Sequence, residues 1–236
     1  VYTRGTVISS NTDLKEETFG LYGSLTPNAS VPQPYFNASA TVNADLTATI
    51  SPLQYWPGLL NASMKFFSWY PYSDAGEMVL NYTANESAAN HVDVLAAISG
   101  PVWVEGVNIH FYHTLTKVTF TFKKVAPVPD EVTIEKIEFQ NVGKSGKLAV
   151  AEIPTATTKN GKPKFVWSDV ATGKVASTPT GNKTVIEDAT LIGDTFLMLP
   201  TDAFSATAKI VVTTNFGDRE FLFSDIIAKN PHSWES

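Results

Sequence analysis

Residues 107–123, VNIHFYHTLTKVTFTFK, carry the strongest local structural signal in the chain. In the first part of this stretch the apolar residues Val107, Ile109 and Phe111 alternate with polar ones, and in residues 118–123 valine and phenylalanine alternate with threonine and lysine. Successive side chains of a β-strand point to opposite faces, so this alternation predicts strands with one apolar row and one solvent-facing row. We therefore predict two half-buried strands in this stretch.

The same alternation recurs along the chain and predicts further strands at residues 78–82, 147–151, 195–199, 209–213 and 220–223. Fourteen glycines and fourteen prolines supply frequent breaks between such runs, which favours antiparallel sandwiches over α/β architectures. The best helical candidate, residues 86–97, is short and contains β-branched residues. The sequence therefore predicts an all-β chain.

Residues 131–139 contain an irregularity in this alternation. The apolar positions are even up to Ile134 and odd from Ile137 onwards. One extra residue in a strand shifts its register by one position, so a β-bulge near Glu135 and Lys136 would keep both halves facing the same core.

Prolines indicate where one domain ends. Pro127 and Pro129 follow the strand predicted at residues 118–122. Proline cannot donate a hydrogen bond to a ladder, so the pair ends that strand. We predict a boundary between an N-terminal domain, residues 1–126, and a C-terminal domain, residues 127–236.

Composition excludes several classes of function. The net charge is −6, so the chain lacks the positive field that holds a phosphate backbone, and no nucleic acid is expected as a partner. The absence of cysteine excludes thiol catalysis, disulfides and thiolate metal sites.

The chain starts at Val1 and has no apolar run long enough to span a membrane. We interpret it as a mature or trimmed product, although an artificial boundary would look the same.

The sequence offers no catalytic motif. It contains no G-x-S-x-G elbow, H-E-x-x-H pair, phosphate-binding loop or dinucleotide fingerprint, so we expect no enzyme and no cofactor. His110 and His113 form an H-x-x-H pair, but positions three apart in a strand face opposite sides. A structural role is favoured over a metal site for this pair.

Two aromatic clusters, residues 55–57 and 66–71, are dense enough for a carbohydrate platform. Alternating large rings also fill the core of a β-sandwich, and the period of two buries half of them. The core interpretation is favoured, and exposed rings that bind glycans remain the alternative.

Arginine occurs at two positions, Arg4 and Arg219. Arg4 lies close to the start of the chain and is followed by the strand-like residues Thr6, Val7 and Ile8. Arg4 is either the recognition site of an Arg-specific protease or an ordinary terminal arginine.

Six short apolar segments, taken in their order and spacing, resemble the fimbrillin-like family of bacterial surface proteins, the type V pilins. They are Phe19-Gly-Leu-Tyr22, Tyr55-Trp-Pro57, Phe66-Phe-Ser-Trp-Tyr-Pro71, Asp93-Val-Leu-Ala-Ala97, Phe111-Tyr-His-Thr-Leu-Thr-Lys-Val118 and Phe196-Leu-Met-Leu-Pro200. The resemblance implies two tandem antiparallel β-sandwich domains that are transthyretin-like in shape. It also implies export as a lipoprotein, with the precursor anchored to the outer membrane through an upstream lipidated cysteine.

The resemblance further implies how such subunits assemble into a pilus. An Arg-specific protease would cut after Arg4, and a strand from a neighbouring pilin subunit would fill the groove that this opens, with Thr6, Val7 and Ile8 as the strand that is freed or retained. The alternative is a monomeric surface module that binds glycans or host ligands through the aromatic clusters or the long polar loops. Members of the family usually continue past residues 232–234 with a further strand and a terminal arm, so the second domain is expected to lack its last strands.

Overall fold

The computed structural model describes residues 7–74, 78–103, 106–125, 130–152, 162–200 and 205–229 of the chain. These residues form sixteen strands: β1 (Thr18–Thr26), β2 (Gln33–Val42), β3 (Ala48–Ser51), β4 (Ser63–Tyr70), β5 (Val79–Thr83), β6 (Leu95–Ile98), β7 (Tyr112–His113), β8 (Thr116–Val118), β9 (Thr121–Phe122), β10 (Val132–Glu152), β11 (Lys164–Ser177), β12 (Thr184–Val185), β13 (Thr190–Leu191), β14 (Phe196–Met198), β15 (Lys209–Thr214) and β16 (Gly217–Leu222). Helical segments are the α-helix α1 (Phe223–Lys229) and three 3₁₀ turns, Asn11–Leu14, Pro27–Ala29 and Ala88–Asn90. The all-β, antiparallel prediction is confirmed.

The first sheet has six antiparallel strands in the order β3-β2-β1-β4-β6-β7. Its central strands β1 and β4 are buried along nearly their whole length, because both faces of the sheet are covered. Gly20 lies opposite Trp69 in the register, and a Cβ at Gly20 would lie 2.0 Å from the indole ring. Only glycine lets this ring lie flat against β1.

The second sheet is built around the 21-residue strand β10, in the order β11-β10-β15-β16. Strand β10 pairs with β12 at its start, with β15 in its first half and with β5 in its second half. The ladder of β10 with β15 shifts register between Ile134 and Lys136, which confirms the predicted bulge. As a result Ile134, Ile137 and Phe139 are all buried in one core.

An interlayer core separates the two sheets. Its members come from one face of the first sheet, from β5 and β10, and from the segments that connect them: Tyr22, Phe67, Trp69, Leu80, Val94, Ala96, Ile98, Leu115, Leu148, Leu197 and Leu199. This core fixes the two sheets face to face, as in a β-sandwich.

A second, distal core lies on the first half of β10 and on β15. Its buried residues are Ala84, Ala88, Ile134, Ile137, Phe139, Val142, Val175, Val185, Ile192, Phe196, Met198, Ala208, Ile210, Val212 and Phe223. Val118, Phe120 and Phe122 pack against it from the region of β8 and β9.

The strands predicted at residues 78–82, 147–151, 195–199 and 209–213 are confirmed by β5, β10, β14 and β15. The strand predicted at residues 220–223 ends at Leu222, where α1 begins.

One predicted strand does not form, and the helical candidate is only a turn. Residues 107–111 do not join a ladder, although Val107, Ile109 and Phe111 do face a core as predicted. The helix considered at residues 86–97 is only the 3₁₀ turn Ala88–Asn90, and β6 begins at Leu95.

Sheet pairing crosses the position proposed for the domain boundary. Strand β5 pairs with β10, β8 with β14 and β9 with β13, so strands from both sides of that position share ladders. Residues 126–129 lie outside the described residues, and the division into residues 1–126 and 127–236 stays a prediction. Along the described part of the chain, no helix has the length and apolar character needed to cross a bilayer.

Candidate functional site

The candidate site is the face of the first sheet that points away from the second sheet. Alternation along β1, β4 and β6 sends every other side chain to this face, where an outer core forms. Its buried members are Ile8, Phe19, Leu21, Leu25, Ala40, Val42, Ala62, Met64, Phe66, Tyr70 and Leu95.

Irregular chain covers the outer core, in contrast to the interlayer core, which lies between two sheets. The partly buried residues packed on it are Leu14, Phe36, Ile50, Trp56, Val102, Val107, Ile109 and Phe111. Four of these residues lie within residues 102–111. Where this stretch is described, its strand pairing is limited to one isolated bridge between Val102 and Met64. On this side of the sheet, the described residues 106–111 therefore cover the core without strand pairing.

Two clefts flank residues 107–111, which we call the covering segment. One has a volume of about 700 Å³ and runs beside Ile8, Leu14 and residues 107–113. The other, of about 480 Å³, reaches Trp56 and the side chains of β2 and β4. Both clefts are lined by Phe19, Ala48, Val107 and Ile109, so they lie on either side of the same short stretch of chain.

The covering segment has the side-chain pattern of a strand without the ladder. Val107, Ile109 and Phe111 are half-buried on the outer core, whereas Asn108 and His110 are exposed. The ring of Phe111 meets that of Phe19 edge to face, with centroids 5.3 Å apart. The segment therefore occupies the position of an outer strand through its side chains.

Residues near the N-terminus close one end of the site. Ile8 is buried in the outer core, and Val7 packs against the interlayer core. The N–H of Ile8 donates to Oδ2 of Asp93 over 3.1 Å. Of the processing and strand-exchange residues predicted from the sequence, Arg4 and Thr6 lie outside the described residues.

Sequence reasoning quoted Asp93 only as part of a family-like segment and gave it no role in a site. Its side chain is 1% exposed, and its Oδ2 also lies 2.9 Å from Nδ1 of His113. A lone carboxylate in the apolar run of residues 92–98 was the available signal, because a buried acid needs partners.

The H-x-x-H pair is divided between two environments. His113 is engaged by Asp93, and His110 is exposed on the wall of the larger cleft. Within the described ranges, no group of three or more His, Asp or Glu side chains is arranged to hold a metal ion.

The negative charge of Asp93 contributes to a raised pKa at two tyrosines. Burial raises the pKa of Tyr82 to about 12, and the negative charge of Asp93 acts in the same direction. Burial also raises the pKa of Tyr70 to about 12, with Glu17 and then Asp93 as further causes. Both phenols therefore stay neutral at physiological pH.

The aromatic clusters divide between core and rim. Phe66, Phe67, Trp69 and Tyr70 are buried, which confirms the core interpretation for the second cluster. Tyr55 of the first cluster is 74% exposed, and its carbonyl accepts a hydrogen bond from the hydroxyl of Tyr35 over 3.2 Å.

Besides Tyr55, further apolar side chains are exposed near this cluster, and sequence reasoning missed them. They are Leu53, Leu59, Leu60 and Trp103. The signal was an apolar run at residues 53–60 that lacks strand alternation and is broken by Pro57 and Gly58.

Comparisons with known proteins place the chain in a family. A solved structure of a candidate cell adhesion protein from Bacteroides fragilis is similar, with 13% identity, a TM-score of 0.41, and coverage of 88% of this chain and 75% of that one. None of the curated proteins matches the chain. The family model described as fimbrillin-like matches residues 3–236, almost the entire sequence. The chain therefore belongs to the fimbrillin-like family.

Proposed function

We propose that this chain is a structural subunit of a cell-surface pilus, or fimbria, that assembles by donor-strand exchange after processing at Arg4 and supports adhesion. Membership of the fimbrillin-like family supports a pilus-related role at the cell surface and association with other pilin subunits. Anchoring of the precursor to the outer membrane through an upstream lipidated cysteine is part of the same proposal.

One observation carries the proposal, namely that residues 107–111, which are all described, cover the outer core without joining a ladder. Val107, Ile109 and Phe111 supply the side chains of a strand, and clefts remain on both sides of them. An extended strand from another subunit could fill such a groove, with main-chain hydrogen bonds for affinity and alternate side chains for specificity. The contact would join different surfaces of the two subunits, so it would propagate into a fibre.

The test of assembly uses the secreted precursor before and after treatment with an Arg-specific protease. Light scattering after size exclusion, together with electron microscopy, should show a monomer before cleavage and ladders or fibres after it. The matched control is Arg4→Ala, which should remain monomeric under the same treatment. A precursor that is cut at Arg4 and stays monomeric would overturn assembly by strand exchange.

The second arginine should be spared in the folded protein. Arg219 lies in β16, paired in the ladder opposite Val212. Proteases bind locally unfolded chain, and a paired strand has to open before it can be cut. We expect mass spectrometry to show cleavage at Arg4 alone in native buffer, and at both arginines in denaturant. Equal rates at the two sites in native buffer would contradict this prediction.

A second candidate function, a monomeric glycan- or host-binding module, is favoured by the exposed Tyr55 and Trp103. Exposed rings of this kind provide apolar faces on which sugars stack. Saturable sugar binding by the monomer, lost in Tyr55→Ala and Trp103→Ala, would support this function. Binding that survives both changes would remove it.

A further inference from the structure

A buried carboxylate joins the start of the described chain to its middle. Asp93 lies between the 3₁₀ turn Ala88–Asn90 and β6, and its side chain is 1% exposed. Its Oδ2 accepts the N–H of Ile8 over 3.1 Å and lies 2.9 Å from Nδ1 of His113. The bond to Ile8 spans 85 positions in the sequence.

The side chains of Val7 and Ile8 pack into different cores. Ile8 is 6% exposed in the outer core, whereas Val7 packs on the interlayer core. His113 belongs to β7, the edge strand of the first sheet. Residues 7 and 8 therefore cross the edge of the sheet, and Asp93 holds their backbone at the crossing point.

We propose that Asp93, with His113, is a clamp that retains Val7 and Ile8 in their own subunit. Asp93 acts as a positioning residue: it fixes the segment that follows the processing site, so that this segment seals one end of the larger cleft. The strand donated during assembly then comes from another part of a neighbouring subunit. This last point rests on the proposed function, whereas the clamp itself is a property of the single chain.

Removing Ile8 would leave a buried carboxylate with His113 as its remaining partner among the contacts described above. A buried charge that loses a hydrogen-bond donor is strongly disfavoured. Any segment that replaced Ile8 would have to present a free N–H next to an apolar side chain of similar shape. The clamp therefore selects its occupant by both backbone and side chain.

Asp13 provides a matched comparison. Its Oδ2 accepts the N–H groups of Ser9 and Ser10 over 2.8 and 2.9 Å, but it is only three or four positions away from them and is exposed. These bonds close a local turn without joining it to the rest of the fold. Loss of Asp13 should therefore loosen the turn and leave Ile8 in place.

The experiment is amide hydrogen exchange by NMR on the chain as a monomer. Asp93→Ala should accelerate exchange at Ile8 at least about tenfold, since this amide loses its acceptor, while the amides paired between β10 and β11 keep their rates. Asp93→Asn retains a carbonyl acceptor and should give an intermediate rate at Ile8. Asp13→Ala, the matched control, should accelerate Ser9 and Ser10 only.

An unchanged Ile8 rate in Asp93→Ala would overturn the clamp, and so would acceleration spread evenly over the whole chain. If Asp93→Ala fails to fold, the wild type and Asp93→Asn still decide: an Ile8 amide that exchanges as fast as unprotected chain in the wild type rejects the clamp. The measurement needs no fibres. A protected Ile8 in a subunit that never assembles would reject the proposed function and leave the clamp standing.

Discussion

Phe196→Ala is expected to destabilise the protein by about 3–5 kcal/mol, the usual cost of removing a fully buried phenylalanine. Phe196 is completely buried in the distal core. Its ring meets Phe139 at a centroid distance of 4.9 Å and Phe120 at 5.8 Å, in both cases edge to face. Truncation would leave a cavity between the ring of Phe139 on β10 and that of Phe120 in the connection between β8 and β9.

Calorimetry is the measurement, with Phe221→Ala as the control. For a chain of this size the expected loss lowers the melting temperature by on the order of 10 °C. Phe221 is also a strand phenylalanine, but it is 49% exposed on β16, so its truncation should change the melting temperature little. Equal shifts in the two variants would show that burial at residue 196 is not what stabilises this core.

The same measurement tests the boundary predicted at residues 126 and 127. Phe196 and its neighbour Leu197 belong to the distal and interlayer cores respectively, and β14 pairs with β8 across the boundary. We expect one unfolding transition that moves as a whole in Phe196→Ala. Two separate peaks, of which only one moves, would indicate two independent domains divided at that position.

Acidification from pH 7 to pH 5 is expected to destabilise the folded chain through His91. Burial lowers the pKa of His91 below its usual value, although the hydrogen bond to Asn85 and the charge of Asp194 oppose this. Nδ1 accepts the N–H of Leu197 over 3.0 Å, and Nε2 lies 2.9 Å from the carbonyl oxygen of Asn85. The neutral ring with its proton on Nε2 satisfies both contacts, and protonation of Nδ1 would break the bond to Leu197.

The sign follows from proton linkage. The unfolded chain binds a proton at His91 near pH 6.5, whereas the folded chain resists it, so the unfolded state carries more protons at mildly acidic pH. The contribution of His91 to stability is complete above about pH 6.5 and is lost as the pH falls towards the lower folded pKa. One proton gives a slope of at most about 1.4 kcal/mol per pH unit.

Denaturant unfolding at several pH values checks this prediction, with His91→Gln as the comparison. Glutamine offers an NH₂ group as donor and a carbonyl oxygen as acceptor but does not titrate, so the variant should be less stable at pH 7 and should lose less stability between pH 7 and pH 5. Taking the difference between the two proteins removes the contributions of the other histidines. Parallel pH profiles would show that His91 does not cause the acid sensitivity.

The strand character of this protein follows from its sequence alone, because the period of two is a local property of the chain. The sequence located β5, β14 and β15 and the bulge between Ile134 and Lys136, since a change of phase can be read without knowing the partner strand. It also indicated the family, and with it the expectation of a surface pilin. Arg4 and Thr6 lie outside the described residues, so the processing site stays a prediction from sequence alone.

The pairing partner of each strand, and the chain that crosses the sheet edge, could be read from the folded structure and not from the sequence. The alternation at residues 107–111 looks the same whether the segment joins a ladder or only packs its side chains, because pairing depends on chain that is distant in sequence. Asp93 and Ile8 are 85 positions apart, and no local pattern relates a carboxylate to a backbone N–H over that distance. Hydrophobic periodicity fixes which way a side chain points, but the partner that it meets is set by how the whole chain closes around its cores.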